Sequence, residues 1–218
     1  FGGLSAAKAL RKAPVRVTAA GRTDAGVHAL GQVASFPEER PLPIAAYLKG
    51  MNALLPEDVA VRAASLEPDG FDARRHALGK RYRYRIQNLP ARAPLGRRSA
   101  WQVFRPLDAA AMREAARPLV GRHDFAAFQA ADCDARHAVR DLGRLEVLGE
   151  SGGEIQVVAE ATAFVKHMVR NLVGTLVQVG LGKEPPEWVA GVLAGRDRTR
   201  AGPTAPPHGL CLEEVFYR

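Results

Sequence analysis

The residue types best suited to chemistry in this chain are an arginine and an aspartate. Arg22 and Asp24 lie two residues apart in a short segment bounded by Gly21 and Gly26. Glycines at this spacing are typical of a loop, so the carboxylate of Asp24 is predicted to lie on a partly exposed turn. Held there, it could serve as a nucleophile or a base. The ordinary alternative is an aspartate that only accepts hydrogen bonds from its own turn.

The segments around this loop alternate between strand and helix patterns. Residues 15–20 and 32–36 predict strands on either side of it. Further strands are predicted at 59–66, 81–87, 139–148 and 154–164, and helices at 44–55, 107–120 and 167–179. Strands followed by helices indicate an α+β fold. Three prolines between the strand at 81–87 and the helix at 107–120 predict a hinge, which divides the chain into halves 1–105 and 106–218.

The strand at 81–87 is predicted to have one packed face and one cationic face, because its side chains alternate with a period of two. The packed face carries Tyr82, Tyr84 and Ile86, and the cationic face carries Arg81, Arg83, Arg85 and Gln87. Tyr84 is interpreted as a core residue. A tyrosine can also stack on an unpaired base and take part in proton transfer.

The charge of the chain favours a polyanionic partner. Its 31 Lys and Arg exceed 23 Asp and Glu, for a formal net charge of +8, and residues 73–107 hold ten basic residues and no acidic one. A block of one sign is typical of phosphate binding, with Arg92, Arg97 and Arg98 as candidates. The alternatives are a solvated basic face without a partner and an arginine content raised by a GC-rich genome.

Several other functional classes lack support in the sequence. Cys133 and Cys211 form no CxxC pair, and the six histidines have no metal-ligand spacing. His123 and Asp124 resemble part of a hydrolase triad, but no Ser or Cys nucleophile motif accompanies them. There is no phosphate-binding glycine loop, signal peptide or apolar run of about 20 residues. We therefore expect a cytoplasmic protein that uses no metal or other cofactor.

The segment GRTDAGVHA at residues 21–29 resembles the catalytic signature of the TruA-type tRNA pseudouridine synthases. Further matches follow in the order of that family. They are KRYRYR at 80–85, GRHDF at 121–125, FVKHMVRN at 164–171 and AGPTAP at 201–206. Together they cover nearly the whole chain. The first three residues and residues 4–10 resemble the end of a further family loop and the helix after it.

The resemblance implies a fold, a reaction and a set of site residues. The fold would be two α/β halves sharing an extended, mostly antiparallel sheet with a basic central cleft. The reaction would isomerise uridine to pseudouridine on the 3′ side of the tRNA anticodon arm, in a homodimer. Asp24 would be the essential residue, Arg22 would help to flip the base, Tyr82 would lie against the base and Arg170 would pair with Asp24. The expected RNA contacts are Tyr82, Arg81, Arg83, Arg92, Arg97, Arg98 and Lys166.

Alternatives remain open for these roles. Arg22 could be a plain phosphate contact, Arg170 a helix-surface arginine and His28 a hydrogen-bonding strut. The isomerisation breaks the N1–C1′ glycosidic bond and joins C5 to C1′, so it needs an ionised carboxylate, either as a nucleophile or as a base that generates a glycal. The sequence leaves both routes open. The chain could also be a catalytically silent RNA-binding protein, or a synthase that modifies another RNA.

Overall fold

The structure is a computed structural model that describes residues 15–38, 42–133, 135 and 137–218. The chain falls into two compact units, residues 1–22 with 33–77 (unit 1) and residues 23–32 with 78–218 (unit 2). This division differs from the boundary predicted at residue 105, because the strand Gly79–Gln87 pairs with two strands from the C-terminal part of the chain. The predicted loop and helix at residues 1–10 lie outside the described residues.

The described elements are numbered in chain order. They are β1 (Thr18–Ala19), β2 (His28–Ala29), β3 (Ala34–Ser35), α1 (Ile44–Leu54), β4 (Gly79–Gln87), β5 (Trp101–Gln102), α2 (Ala109–Ala116), β6 (Gly121–Asp124), β7 (Val139–Leu148), β8 (Glu154–Ala161), α3 (Met168–Gly180), α4 (Trp188–Gly195) and β9 (Leu210–Phe216). None of the helices among these described residues is long and apolar enough to cross a lipid bilayer.

Unit 1 contains a two-stranded antiparallel ladder and one helix. β1 and β3 pair antiparallel, and Tyr47 and Met51 of α1 form its core. The prediction of a strand at 59–66 is wrong. The Asn52 side chain accepts a hydrogen bond from the N–H of Val61 at 2.6 Å and donates to its carbonyl oxygen at 2.9 Å. The backbone at Val61 is thus satisfied by a side chain instead of a neighbouring strand.

Unit 2 is built on a seven-stranded sheet. The strand order is β2-β9-β4-β8-β7-β6, and β5 pairs with one end of β4. The pairs among β4, β6, β7, β8 and β9 are antiparallel, whereas β2 with β9 and β4 with β5 are parallel. Strands from both sequence halves therefore share one mostly antiparallel sheet, which confirms the predicted α+β fold.

One face of this sheet is buried under helices. α2 and α3 pack on each other, α2 on β7 and α3 on β4. Tyr84 and Ile86 of β4 are fully buried on this face, which confirms the core role predicted for Tyr84. Asp108 caps α2 by accepting a hydrogen bond from Ala111 N–H at 2.9 Å. The prediction that this helix reaches residue 120 is wrong, because α2 ends at Ala116, a 3₁₀ turn follows at Arg117–Leu119 and Gly121 begins β6.

The opposite face, here called the ion-pair face, carries alternating arginines and carboxylates. It comprises Arg81, Arg83, Arg85, Arg144, Glu146, Glu154, Gln156, Glu160, Glu213 and Glu214. Arg85 donates to Glu154 and holds the pKa of that carboxyl below its usual value. The predicted cationic face of β4 is therefore compensated by neighbouring strands.

Candidate active site around Asp24

Asp24 lies in a tight turn fastened to the edge of the main sheet. The N–H of Val27 donates to the carbonyl oxygen of Asp24 at 3.0 Å. Gly26 adopts a φ of +82°, in the left-handed region that favours glycine. A Cβ on Gly26 would lie 3.2 Å from the ring of Pro207. The turn leads directly into β2, whose pairing with β9 fixes the position of the Asp24 loop.

His28 holds the same loop through its side chain. Its Nε2 atom lies 2.6 Å from the carbonyl oxygen of Arg98 and donates a hydrogen bond to it. This contact is the one expected of a hydrogen-bonding strut. It joins the Asp24 loop to the segment that carries Arg97 and Arg98, whose side chains are exposed.

The carboxylate of Asp24 is contacted by two side chains from the start of α3. Arg170 Nη1 lies 3.0 Å from Asp24 Oδ2, and His167 Nε2 lies 3.1 Å from the same oxygen. Arg170 retains only 12% of its side-chain exposure, whereas Asp24 retains 33%. A guanidinium that is nearly out of water forms a strong charge-assisted hydrogen bond to a carboxylate.

Arg170 is itself held in place by the loop before β9. Its Nε donates to the carbonyl oxygen of Ala205 at 2.7 Å, while Ala205 N–H donates to the carbonyl oxygen of Arg170 at 3.1 Å. Arg198 Nη2 in turn donates to the side-chain oxygens of Asn171 and Thr204. The guanidinium of Arg170 is therefore oriented before any substrate arrives.

Tyr82 projects from β4 on the helix-covered face and retains 9% exposure. Its ring packs edge-on against Phe164, with centroids 5.0 Å apart. Burial, together with the nearby negative charge of Asp24, raises the pKa of Tyr82 to about 12. The phenol is therefore neutral at physiological pH and acts as a flat ring with a hydroxyl donor, not as a phenolate base.

This protonation state gives a measurable expectation. Tyr82→Phe should keep the shape of the pH–rate profile from neutral pH to about pH 10, since the raised pKa keeps the native phenol protonated over that range. Tyr82→Ala should slow single turnover by about 10- to 100-fold, because the role expected of its ring is to stack on a base. Rates measured under single-turnover conditions across pH check both variants. Suppose instead that the native protein loses rate between neutral pH and pH 10 and that Tyr82→Phe abolishes this loss. That result would contradict the assignment of a neutral phenol to Tyr82.

The remaining predicted residues have other surroundings. Arg22 is the last residue of unit 1 before the chain enters unit 2, and its side chain is exposed. Arg81 and Arg83 lie on the ion-pair face, and Lys166 pairs with Asp132. Arg92, Arg97 and Arg98 are exposed, and none of them forms an ion pair with a described acidic residue. The structure thus brings together Asp24, Tyr82 and Arg170.

His167 is the site residue that the sequence analysis missed. It lies three residues before Arg170, so both side chains emerge from the first turn of α3. The spacing in FVKHMVRN, at the predicted start of a helix, was the available signal. Within the part of the chain that the structure describes, no group of three or more His, Cys, Asp or Glu side chains is placed to hold a metal ion.

Comparison with known proteins identifies the family. A family described as tRNA pseudouridine synthase matches residues 115–218. Two proteins named tRNA pseudouridine synthase A, from Myxococcus xanthus and Syntrophotalea carbinolica, are 61% and 51% identical to the chain. Each alignment covers 94% of the chain, and 78% and 81% of the two relatives. A third, from Geobacter sulfurreducens, is 49% identical over 95% of the chain and 85% of its own length. The chain belongs to the tRNA pseudouridine synthase A family.

Proposed function

We propose that this protein isomerises uridine to pseudouridine in the anticodon arm of tRNA, with Asp24 as the reacting carboxylate. The observation that carries this proposal is the contact of Arg170 Nη1 with Asp24 Oδ2 at 3.0 Å, beside the buried ring of Tyr82. A loop aspartate that served only its own turn would need no such partner. The names of the relatives supply the substrate class.

The reaction requires few chemical groups besides those of this cluster. The N1–C1′ bond of uridine breaks, the freed uracil rotates, C5 joins C1′ and the C5 proton is removed. Asp24 either attacks C1′ or removes a ribose proton to form a glycal, and an ionised carboxylate serves both routes. Arg170 stabilises its negative charge, and the Tyr82 ring offers a surface on which the base stacks.

The target base must leave its stack before Asp24 reaches it. We assign the opening of the RNA to Arg22, whose exposed side chain lies two residues from Asp24 along the chain. The exposed Arg92, Arg97 and Arg98 are assigned to the phosphate backbone. Arg81 and Arg83 are left out of this assignment, because their guanidinium groups are already engaged by Glu160, Glu214 and Glu213.

The direct test is to map pseudouridine by sequencing after the protein is incubated with tRNA and with rRNA. The reaction mixture contains EDTA and no added nucleotide, because the proposed chemistry needs neither a metal ion nor a phosphate donor. New pseudouridine on the 3′ side of the anticodon arm supports the proposal. Modification of rRNA alone would indicate a synthase for another RNA, and binding without product would indicate a silent RNA-binding protein.

The exposed arginines predict a salt effect. Arg92→Gln, Arg97→Gln and Arg98→Gln should each weaken tRNA binding and lower the slope of log K against log salt by roughly 0.7 to 0.9, because fewer counterions are released. Turnover at saturating tRNA should change little. Arg83→Gln is the matched control. The native guanidinium of Arg83 pairs with Glu213, so this substitution should leave the slope unchanged. Binding titrations at several salt concentrations measure the slopes. Unchanged slopes in all three test variants would remove this segment from the RNA interface.

Arg22→Ala should show the opposite pattern in the same titrations. Its proposed task begins when the base is extruded, so binding should stay near the native value while single turnover slows. Lost binding with an unchanged saturated rate would make Arg22 a phosphate anchor instead.

We further propose a cytoplasmic homodimer. The support is the family resemblance carried by the five motifs, together with a reaction that requires tRNA. Light scattering on the purified protein should give twice the mass of one chain, and a mass of one chain would contradict the dimer.

A further inference from the structure

His167 has a backbone conformation that its residue type does not favour. Its φ is +64°, and among the described residues only Arg196 shares a positive φ without being glycine. A Cβ makes the left-handed region unfavourable for any residue other than glycine. His167 is also the N-cap of α3, yet its side chain makes no capping hydrogen bond. Asn, Asp or Ser would satisfy that position better.

The side chain of His167 accounts for this conformation. While its carbonyl oxygen accepts the first helical hydrogen bond, from Asn171 N–H at 2.9 Å, its ring turns to Asp24. His167 Nε2 lies 3.1 Å from Asp24 Oδ2. An ionised carboxylate only accepts hydrogen bonds, so we assign the proton of this contact to Nε2.

Two side-chain nitrogens from the start of α3 converge on one oxygen of Asp24. Arg170 Nη1 and His167 Nε2 both contact Oδ2, and within the described residues no group donates to Oδ1. Two donors with different directions fix the torsion of a carboxylate more firmly than one donor does. They also concentrate stabilisation on Oδ2, which leaves Oδ1 as the less stabilised and more reactive oxygen.

We propose that His167 is a positioning residue for Asp24. Its Nε2–H locks the carboxylate so that Oδ1 faces the substrate, and the left-handed backbone at the start of α3 is what brings the ring within reach. This inference rests on the proposed role of Asp24 as the reacting carboxylate. The neighbouring charges are Arg170 on α3 and the exposed pair of Lys166 with Asp132.

Three substitutions separate the ring's hydrogen bond from the backbone conformation. His167→Gly keeps the left-handed backbone and removes the donor. His167→Gln keeps a donor of similar reach, and His167→Asn tolerates the backbone but carries a shorter donor. We expect His167→Gly and His167→Asn to lower kcat by about 10- to 100-fold, the range for a lost hydrogen bond to a charged group, with KM and tRNA affinity unchanged. His167→Gln should stay within about fivefold of the native rate.

Chemical rescue provides the second readout. The ring retains 26% exposure, so added imidazole should enter the space left in His167→Gly and restore part of kcat. A purely structural histidine would shift the thermal midpoint and give no rescue. Native rates in His167→Gly, or equal losses in the Gly and Gln variants without imidazole rescue, would overturn the inference. If Asp24→Asn retained activity, the proposed function itself would fail, and the two failures are therefore distinguishable.

Discussion

Asp24→Asn is expected to reduce pseudouridine formation at least about 1000-fold while the protein still folds and binds tRNA. The substitution keeps the size of the side chain and one carbonyl oxygen, which still accepts the hydrogen bond from Arg170 Nη1. It removes the ionised oxygen that either attacks C1′ or takes a proton. Single-turnover kinetics on labelled tRNA measure the rate, and a filter-binding titration measures the affinity.

The control for this prediction is Asp69→Asn. Asp69 is an exposed aspartate in unit 1, and this variant should keep the native rate. Residual turnover in Asp24→Asn above about one part in a thousand would exclude Asp24 as the reacting carboxylate. A parallel loss of tRNA binding would show that the substitution disturbs the loop.

Arg170→Met should lower the single-turnover rate by about 100-fold or more, equivalent to about 2.7 kcal/mol. Two partners lose their donor at once, the carboxylate of Asp24 and the carbonyl oxygen of Ala205. Arg170→Lys should recover only part of the rate, because a single ammonium group cannot reproduce the fork that serves both partners. Rates and thermal midpoints are to be measured for both variants.

Arg117→Met is the matched control for Arg170, since Arg117 has an exposed side chain. It should retain the native rate and thermal midpoint. If Arg170→Met kept the native rate, the contact with Asp24 would be a structural ion pair without influence on the reaction.

The sequence predicted those elements whose pattern is local. The alternation at 139–148 defines β7, and the helical spacing at 167–179 defines all but one residue of α3. The strand prediction at 59–66 failed because no strand among the described residues pairs with this segment, and Asn52 satisfies the backbone at Val61. Patterns of this kind carry no information about whether a partner strand is present.

The candidate site was predictable only where resemblance joined distant residues. Asp24 and Arg170 are 146 residues apart, and neither spacing nor charge would bring them together. The ion pairs of Arg81 with Glu160 and Glu214 depend on strand register, which a single sequence does not fix. The left-handed backbone of His167 runs against its residue type, so local rules would have rejected it.

The ion-pair face has a consequence for how the protein meets a polyanion from a distance. Its four arginines oppose five glutamates, so this face contributes one net negative charge to a chain whose total is +8. The surplus of positive charge therefore resides entirely on other surfaces. A nucleic acid diffusing toward the molecule is attracted mainly by the other surfaces, so its approach is oriented before any contact forms. Added salt screens this field, and the association rate then falls more steeply than the rate of release rises.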